Sequence, residues 1–96
     1  MSIRVTLNCP LIPERVEELK GFLAENLPNV RSFEGSKRVS VLFTSDNQEM
    51  LLDEVWLSVE HHKSYLRFIE SNGVLSQLAS YLKSPPEIKY FQGSEL

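Results

Sequence analysis

Two stretches of this chain, IRVTLN and KRVSVLFT, alternate side chains with the period of a strand, and a stripe of apolar residues at helical spacing lies between them. That succession of periods, two then about 3.6 then two, constrains the fold more than any other feature. In the first stretch Ile3, Val5 and Leu7 oppose Arg4, Thr6 and Asn8; in the second Val39, Val41 and Phe43 oppose Arg38, Ser40, Leu42 and Thr44. Between them Pro13 suits a first helical turn, and Glu14, Glu17 and Glu18 lie near the positive end of the helix dipole. Val16, Leu19, Phe22, Leu23 and Leu27 supply the apolar stripe, so a helix is expected from about Pro13 to Asn26, closed by Pro28. The turn residues SDNQ lead into a third extended segment, MLLDEVWL, as the return arm of a hairpin. Ser58 is placed to cap a second helix, Val59 to Glu70, which Asn72 and Gly73 would end. Val74, Leu75, Leu78, Tyr81 and Leu82 form a further helical stripe; SPP ends it, EIKYFQ reads as the last strand, and GSEL as a frayed tail.

The resulting order, β-α-β-β-α-α-β, predicts an α+β fold of the ferredoxin-like βαββαβ kind, an antiparallel sheet with helices on one side. With 96 residues the chain has enough surface to bury for one core only, so residues 1–96 are expected to form a single domain. The 42% apolar and 24% charged content is that of a soluble globular protein, and no apolar run is long enough for a bilayer. Neither a membrane nor nucleic acid is an expected partner: ten basic residues are scattered among 13 acidic ones, for a net charge of -3. The first residues carry no long apolar run of a signal peptide, and Cys9 is the single cysteine, which excludes an intrachain disulfide and points to a reducing cytoplasm. Helices cover only one face of such a sheet. The other face is expected to carry Val5, Val41 and Val55 and to be buried in a homodimer, sheet against sheet.

The candidate site follows from strand parity. Trp56 shares its face with Glu54 and Leu52; if the mixed faces coincide, Thr6, Asn8, Ser40, Glu54 and Trp56 gather on one side and suggest a cavity for a ligand. The alternative is a core tryptophan whose indole finds a backbone acceptor. His61 and His62 are adjacent and point about 100° apart on a helix, so they cannot chelate together, and no metal site is expected. His62 shares a stripe with Tyr65, Leu66 and Ile69 and is the candidate base, its alternative being a hydrogen-bonded structural imidazole. Tyr65 and Tyr81 could offer phenol groups to a ligand or cover the core edge; Arg31 and Arg67 are candidates for orienting an anion, or solvated surface residues. No phosphate-cradling glycine loop or nucleophile triad is present.

The segments RSFEGSKRVSVLF, DEVWLSVEHHKSYL and PPEIKYF, in this order and spacing, resemble the antibiotic biosynthesis monooxygenase superfamily of small dimeric α+β barrels, over nearly the whole chain. The resemblance implies a homodimer and a pocket between sheet and helices. In several relatives that pocket oxidises polycyclic phenols or quinols with dioxygen, without metal, flavin or other cofactor. Trp56 matches the family tryptophan, Asn8 approximates a strand-one asparagine, and Arg31 matches an arginine that precedes a glycine. The chain departs from the family in carrying Tyr65 where many relatives have a histidine, and in lacking, near Leu78, the histidine of the heme-degrading branch. The expected function is cofactor-independent monooxygenation of a hydrophobic aromatic, with Trp56, Asn8 and His62 as catalytic residues and Tyr65, Arg31 and Tyr81 contacting substrate. The rivals are a noncatalytic small-molecule-binding or stress-response module, and a cofactor-free isomerase or lyase.

Overall fold

The structure, a computed structural model, describes residues 2–96. Strand β1 spans Ile3–Pro10, and a 3₁₀ turn at Pro13–Arg15 leads into helix α1, Val16–Arg31. Strands β2, Ser36–Phe43, and β3, Glu49–Trp56, form the hairpin; α2, Val59–Ser71, α3, Val74–Ala79, and β4, Glu87–Phe91, complete the chain. The four strands are antiparallel in the order β2-β3-β1-β4, so β3 lies between β1 and β2 and the first βαβ unit is split. The α+β, ferredoxin-like expectation is the observed fold.

Hydrophobic burial explains the register. Pairing Val5 with Glu54, Leu7 with Leu52 and Cys9 with Met50 puts the apolar side of β1 on the same face as Met50, Leu52 and Trp56 of β3. Across the hairpin Val39 pairs with Glu54 and Val41 with Leu52, which brings the apolar side of β2 to that face as well. Helix α1 covers it with Val16, Leu19, Phe22, Leu23 and Val30, and the whole forms one contiguous core. The expected gathering of Thr6, Asn8 and Ser40 with Glu54 and Trp56 is therefore corrected: Thr6 and Ser40 pair with Asp53, and Asn8 with Leu51, on the opposite face. The same register moves Val5 and Val41 to the core side, while Val55 lies on the open face as expected, together with Leu42, Leu51 and Phe91. At the centre of that open face Arg4 donates to both oxygens of Asp53, at 2.8 and 2.6 Å, and Arg38 reaches the same carboxylate at 3.4 Å.

Helix α1 outruns its expected end, because Pro28 lies inside it. The ring removes one donor near the C-terminus, yet the last turn persists: Val30 is buried, the Pro28 carbonyl accepts from Ser32, and Arg31 donates to the Val39 carbonyl at 3.0 Å. Ser58 caps α2 as expected, its side chain accepting from the His61 N–H at 3.1 Å. Gly73 takes the left-handed conformation, φ 85°, that lets the chain turn from α2 into α3.

Gly35, at φ 90°, joins α1 to β2, and its carbonyl accepts from Leu57 at 2.8 Å, tying this turn to the start of α2. The His61 side chain lies over it so closely that a Cβ would stand 2.5 Å from its Cδ2 and Cγ and 2.6 Å from its Cβ, whereas Gly73 has open space. Gly35→Ala is therefore expected to destabilise the fold by about 2–4 kcal/mol, strain and clash together, and Gly73→Ala by only about 1 kcal/mol. Urea denaturation of the two variants checks the difference; equal losses would contradict the close approach.

Candidate functional site

Trp56 ends β3 and is fully buried, with its indole N–H donating to Glu54 Oε1 at 2.7 Å. The two side chains stand two residues apart on one strand, so the pleat sets them side by side on the helix-covered face. Helix α2 places His62 and Tyr65 over them. The His62 ring meets Trp56 edge-on at 5.2 Å between centroids, and Tyr65 lies 5.5 Å from Trp56. His62 Nε2 is 3.7 Å from Glu54 Oε1, and on its other side Nδ1 is 2.9 Å from the hydroxyl of Tyr90 on β4. A narrow cavity of about 50 Å³ adjoins Glu54, His62 and Tyr65, and apart from Asn26 its remaining wall is aliphatic and aromatic, with α3 contributing Val74, Leu75 and Leu78.

Burial sets the electrostatics. Glu54 is 4% exposed, and loss of solvent raises its pKa to about 7, with the Trp56 hydrogen bond opposing and Asp53 adding to the rise. Burial lowers His62 to about 4, so the imidazole is neutral at physiological pH. Tyr65 is raised to about 12, by burial and then by Glu54, and stays a neutral donor. Below about pH 7 this cluster holds one proton, on the carboxyl; above it, the cluster carries a negative charge under an apolar cover. A carboxyl that exchanges its proton near neutrality is matched to acid-base work on a bound molecule.

Trp56, His62 and Tyr65 are thus brought together. Asn8 is not: it faces the open side of the sheet, where its buried Oδ1 has no hydrogen-bond partner among the described residues. Arg31 is spent on the Val39 carbonyl, and Tyr81 is packed 5.5 Å from Phe22 with the Arg15 guanidinium 4.4 Å above its ring, away from the cavity wall. His61 bonds to Ser58 Oγ at 2.7 Å and approaches Glu34 at 3.7 Å, so the adjacent histidines serve different surroundings. Among the described residues Arg67 donates only to Ser64, on the surface. Cys9 is fully buried with its thiol pushed up to about 12, mainly by burial, which leaves it inert. Among the described residues no three His, Cys, Asp or Glu side chains come together, and no helix is long and apolar enough to cross a membrane. Sequence reasoning grouped Glu54 with Trp56 on the candidate face without giving it a role in the chemistry, and did not assign Tyr90 to the site. Glu54 was detectable as the one charged residue sharing the Trp56 parity, whereas Tyr90 depended on β4 pairing beside β1.

No protein-family model matches this chain, and no characterised protein matches it by sequence. Solved structures do match in shape. A conserved protein from Methanosarcina mazei Go1 superposes with TM-score 0.87 at 18% identity, over 98% of this chain and 94% of that one. A monooxygenase from the gene ActVA-Orf6 of Streptomyces coelicolor, in complex with nanaomycin D, gives 0.78 at 16% identity over 99% and 91%. SnoaB, a cofactor-independent oxygenase from Streptomyces nogalater, gives 0.78 at 13% identity over 99% and 95%. The fold is that of the antibiotic biosynthesis monooxygenases.

The buried pair has opposing linkages. Between pH 4.5 and about 7 native Glu54 holds a proton that the unfolded chain has released, so its contribution to stability falls as pH rises. Between about pH 4 and 6.5 the unfolded chain binds a proton that native His62 refuses, so that contribution rises with pH. The two cancel where the windows overlap. Glu54→Gln removes the falling limb alone, and its stability relative to the parent is expected to improve by roughly 3 kcal/mol from pH 4.5 to about 8. Denaturation at a series of pH values checks this; a pH-independent difference would contradict the buried, neutral-pH carboxyl.

Proposed function

We propose that the cavity is the reaction site of a cofactor-independent monooxygenase acting on a hydrophobic aromatic, a quinol or polycyclic phenol. The observation that carries this reading is the cluster of Glu54, His62 and Tyr65 on the wall of a cavity that is otherwise apolar but for Asn26, with Trp56 bonded to Glu54 behind it. The likeness in fold to a cofactor-independent oxygenase supports the same class. Removing the phenol proton yields an anion that reduces dioxygen by one electron; the radical pair then joins through a C–O bond, and the O–O bond breaks. A phenol with a free para C–H plus dioxygen becomes the quinone plus one water, so substrate supplies every electron. The protein's part is orientation, a proton acceptor and dry walls.

In this reading Trp56, standing behind the cavity wall, keeps Glu54 in place through its indole N–H, Tyr65 donates to a ligand oxygen, and His62 takes part in proton transfer. Asn8, Arg31 and Tyr81 have no part in it, being turned away from the cavity. A volume of about 50 Å³ suits dioxygen, while drug-sized ligands occupy about 300–1,000 Å³. An aromatic therefore enters by displacing Val74 and Leu75 of α3, a helix of six residues hinged at exposed Gly73. The active form is a homodimer in a reducing cytoplasm, joined through the open sheet face, where Leu42 and Phe91 are each 49% exposed.

Metal-free protein is expected to consume dioxygen with members of a hydroquinone and polycyclic phenol panel, and folded Trp56→Phe to lower kcat/KM by roughly 10–100-fold. Uptake no faster than autoxidation, with the aromatic recovered unchanged from a saturable complex, would replace this reading with a noncatalytic binding module. Leu42→Asp is expected to yield a folded monomer in sedimentation, and a dimer that survives it would refute assembly through this face.

A further inference from the structure

We propose that Glu54 is the proton acceptor of the cavity and that His62 and Tyr90 connect it to solvent, forming a relay from buried carboxyl through imidazole to surface phenol. Glu54 lines the cavity and is cut off from water, so a proton it takes from a ligand needs a way out. The way out is built from α2 and β4. One nitrogen of the His62 ring faces the carboxyl at 3.7 Å and the other meets the Tyr90 hydroxyl at 2.9 Å. The ring itself is 1% exposed, whereas Tyr90 is only half-buried on the edge strand. The first gap exceeds a hydrogen bond by less than an ångström, which a small rotation of the long Glu54 side chain closes.

With Nδ1–H donating to Tyr90, the unprotonated Nε2 faces Glu54. The carboxylic acid passes its proton to Nε2, Nδ1 releases its own to the Tyr90 oxygen, and the phenol proton leaves to water. Glu54 becomes a carboxylate, solvent gains one proton, and ring and phenol end neutral. An imidazole does this because it can take a proton at one nitrogen while giving one at the other. Its low basicity here makes it a conduit and not a store.

The titratable groups facing Glu54 are few. Helix α2 presents His62 and Tyr65, β4 presents Tyr90, and β1 presents Cys9 two positions beyond Leu7 on the same face. Asp53, the next residue, points to the open face and is held by Arg4 and Arg38. Helix α1 and β2 offer the cavity Phe22, Leu23, Asn26, Leu27, Val30 and Val39, none of which titrates.

This relay rests on the cavity being a site of proton transfer, yet its test needs no substrate. Trp56 is the sole tryptophan, and it donates directly to Glu54, so its emission reports that carboxyl: a neighbouring carboxylic acid quenches indole more than a carboxylate does. The experiment is a temperature jump in a buffer whose pKa shifts with temperature, following Trp56 fluorescence near pH 7 in the unmodified chain, Glu54→Gln and Tyr90→Phe. The expected result is a titration lost in Glu54→Gln and retained in Tyr90→Phe, with relaxation at least about tenfold slower in the latter. A titration that persists in Glu54→Gln, or unchanged relaxation in Tyr90→Phe, overturns the relay. Slow relaxation in Tyr90→Phe with no oxygen uptake by any chain would retain the relay and remove the oxygenase reading.

Discussion

The hydrogen bond from Trp56 to Glu54 is the interaction on which the rest of the site depends. A carboxyl set among Val5, Val39 and Leu52 has lost its water, and an isolated charge there is costly. The indole N–H supplies one fixed partner, and the His62 ring stands close by. The carboxyl answers the remaining cost by keeping its proton up to about pH 7. That single placement gives the sheet face a carboxyl that exchanges its proton near neutral pH, fixes the indole plane, and adds to the burial that raises the Tyr65 phenol.

The fold supplies that placement through two local devices. The pleat puts residues 54 and 56 on one face, so the donor and acceptor need no long-range coincidence to meet. The Ser58 cap then starts α2 two residues after β3 ends, which brings His62 and Tyr65 back over the same residues within one and two helical turns. Gly35 and His61 lock this corner, since the ring sits where any Cβ would stand. The opposite side of the sheet has a different character: Arg4 and Arg38 share the single Asp53 carboxylate, an excess of one positive charge, amid Leu42, Leu51, Val55 and Phe91.

Much of this was legible in the residues, and the division between what was and was not follows physical range. Periodicity and caps are local, so the elements, the Ser58 cap and the left-handed Gly73 could be read directly. Parity within a strand is also local, which is why Trp56 and Glu54 were correctly paired. Which faces of different strands coincide is set by pairing across the sheet, and there Asn8, Val5 and Val41 were assigned to the wrong sides. The governing preference was the larger burial: placing Val5, Leu7, Val39 and Val41 beside Trp56 leaves one polar outlier, Glu54, whereas the expected grouping stranded several apolar side chains in water. Pro28 misled for a similar reason, because tertiary anchoring of Val30 and Arg31 outweighs one lost backbone bond near a helix end. Tyr90 lay beyond local reading, since its meeting with His62 requires both the β1 to β4 pairing and the docking of α2.

The most direct test of the account is the ionisation of Glu54 itself, read as the pH dependence of its side-chain carboxyl carbon shift by NMR and assigned through its loss in Glu54→Gln. The account predicts a midpoint near 7, far above the ordinary glutamate value of 4.5. A midpoint near that ordinary value would mean that the carboxyl is solvated and freely ionised, and the proposed proton chemistry of the cavity would be wrong.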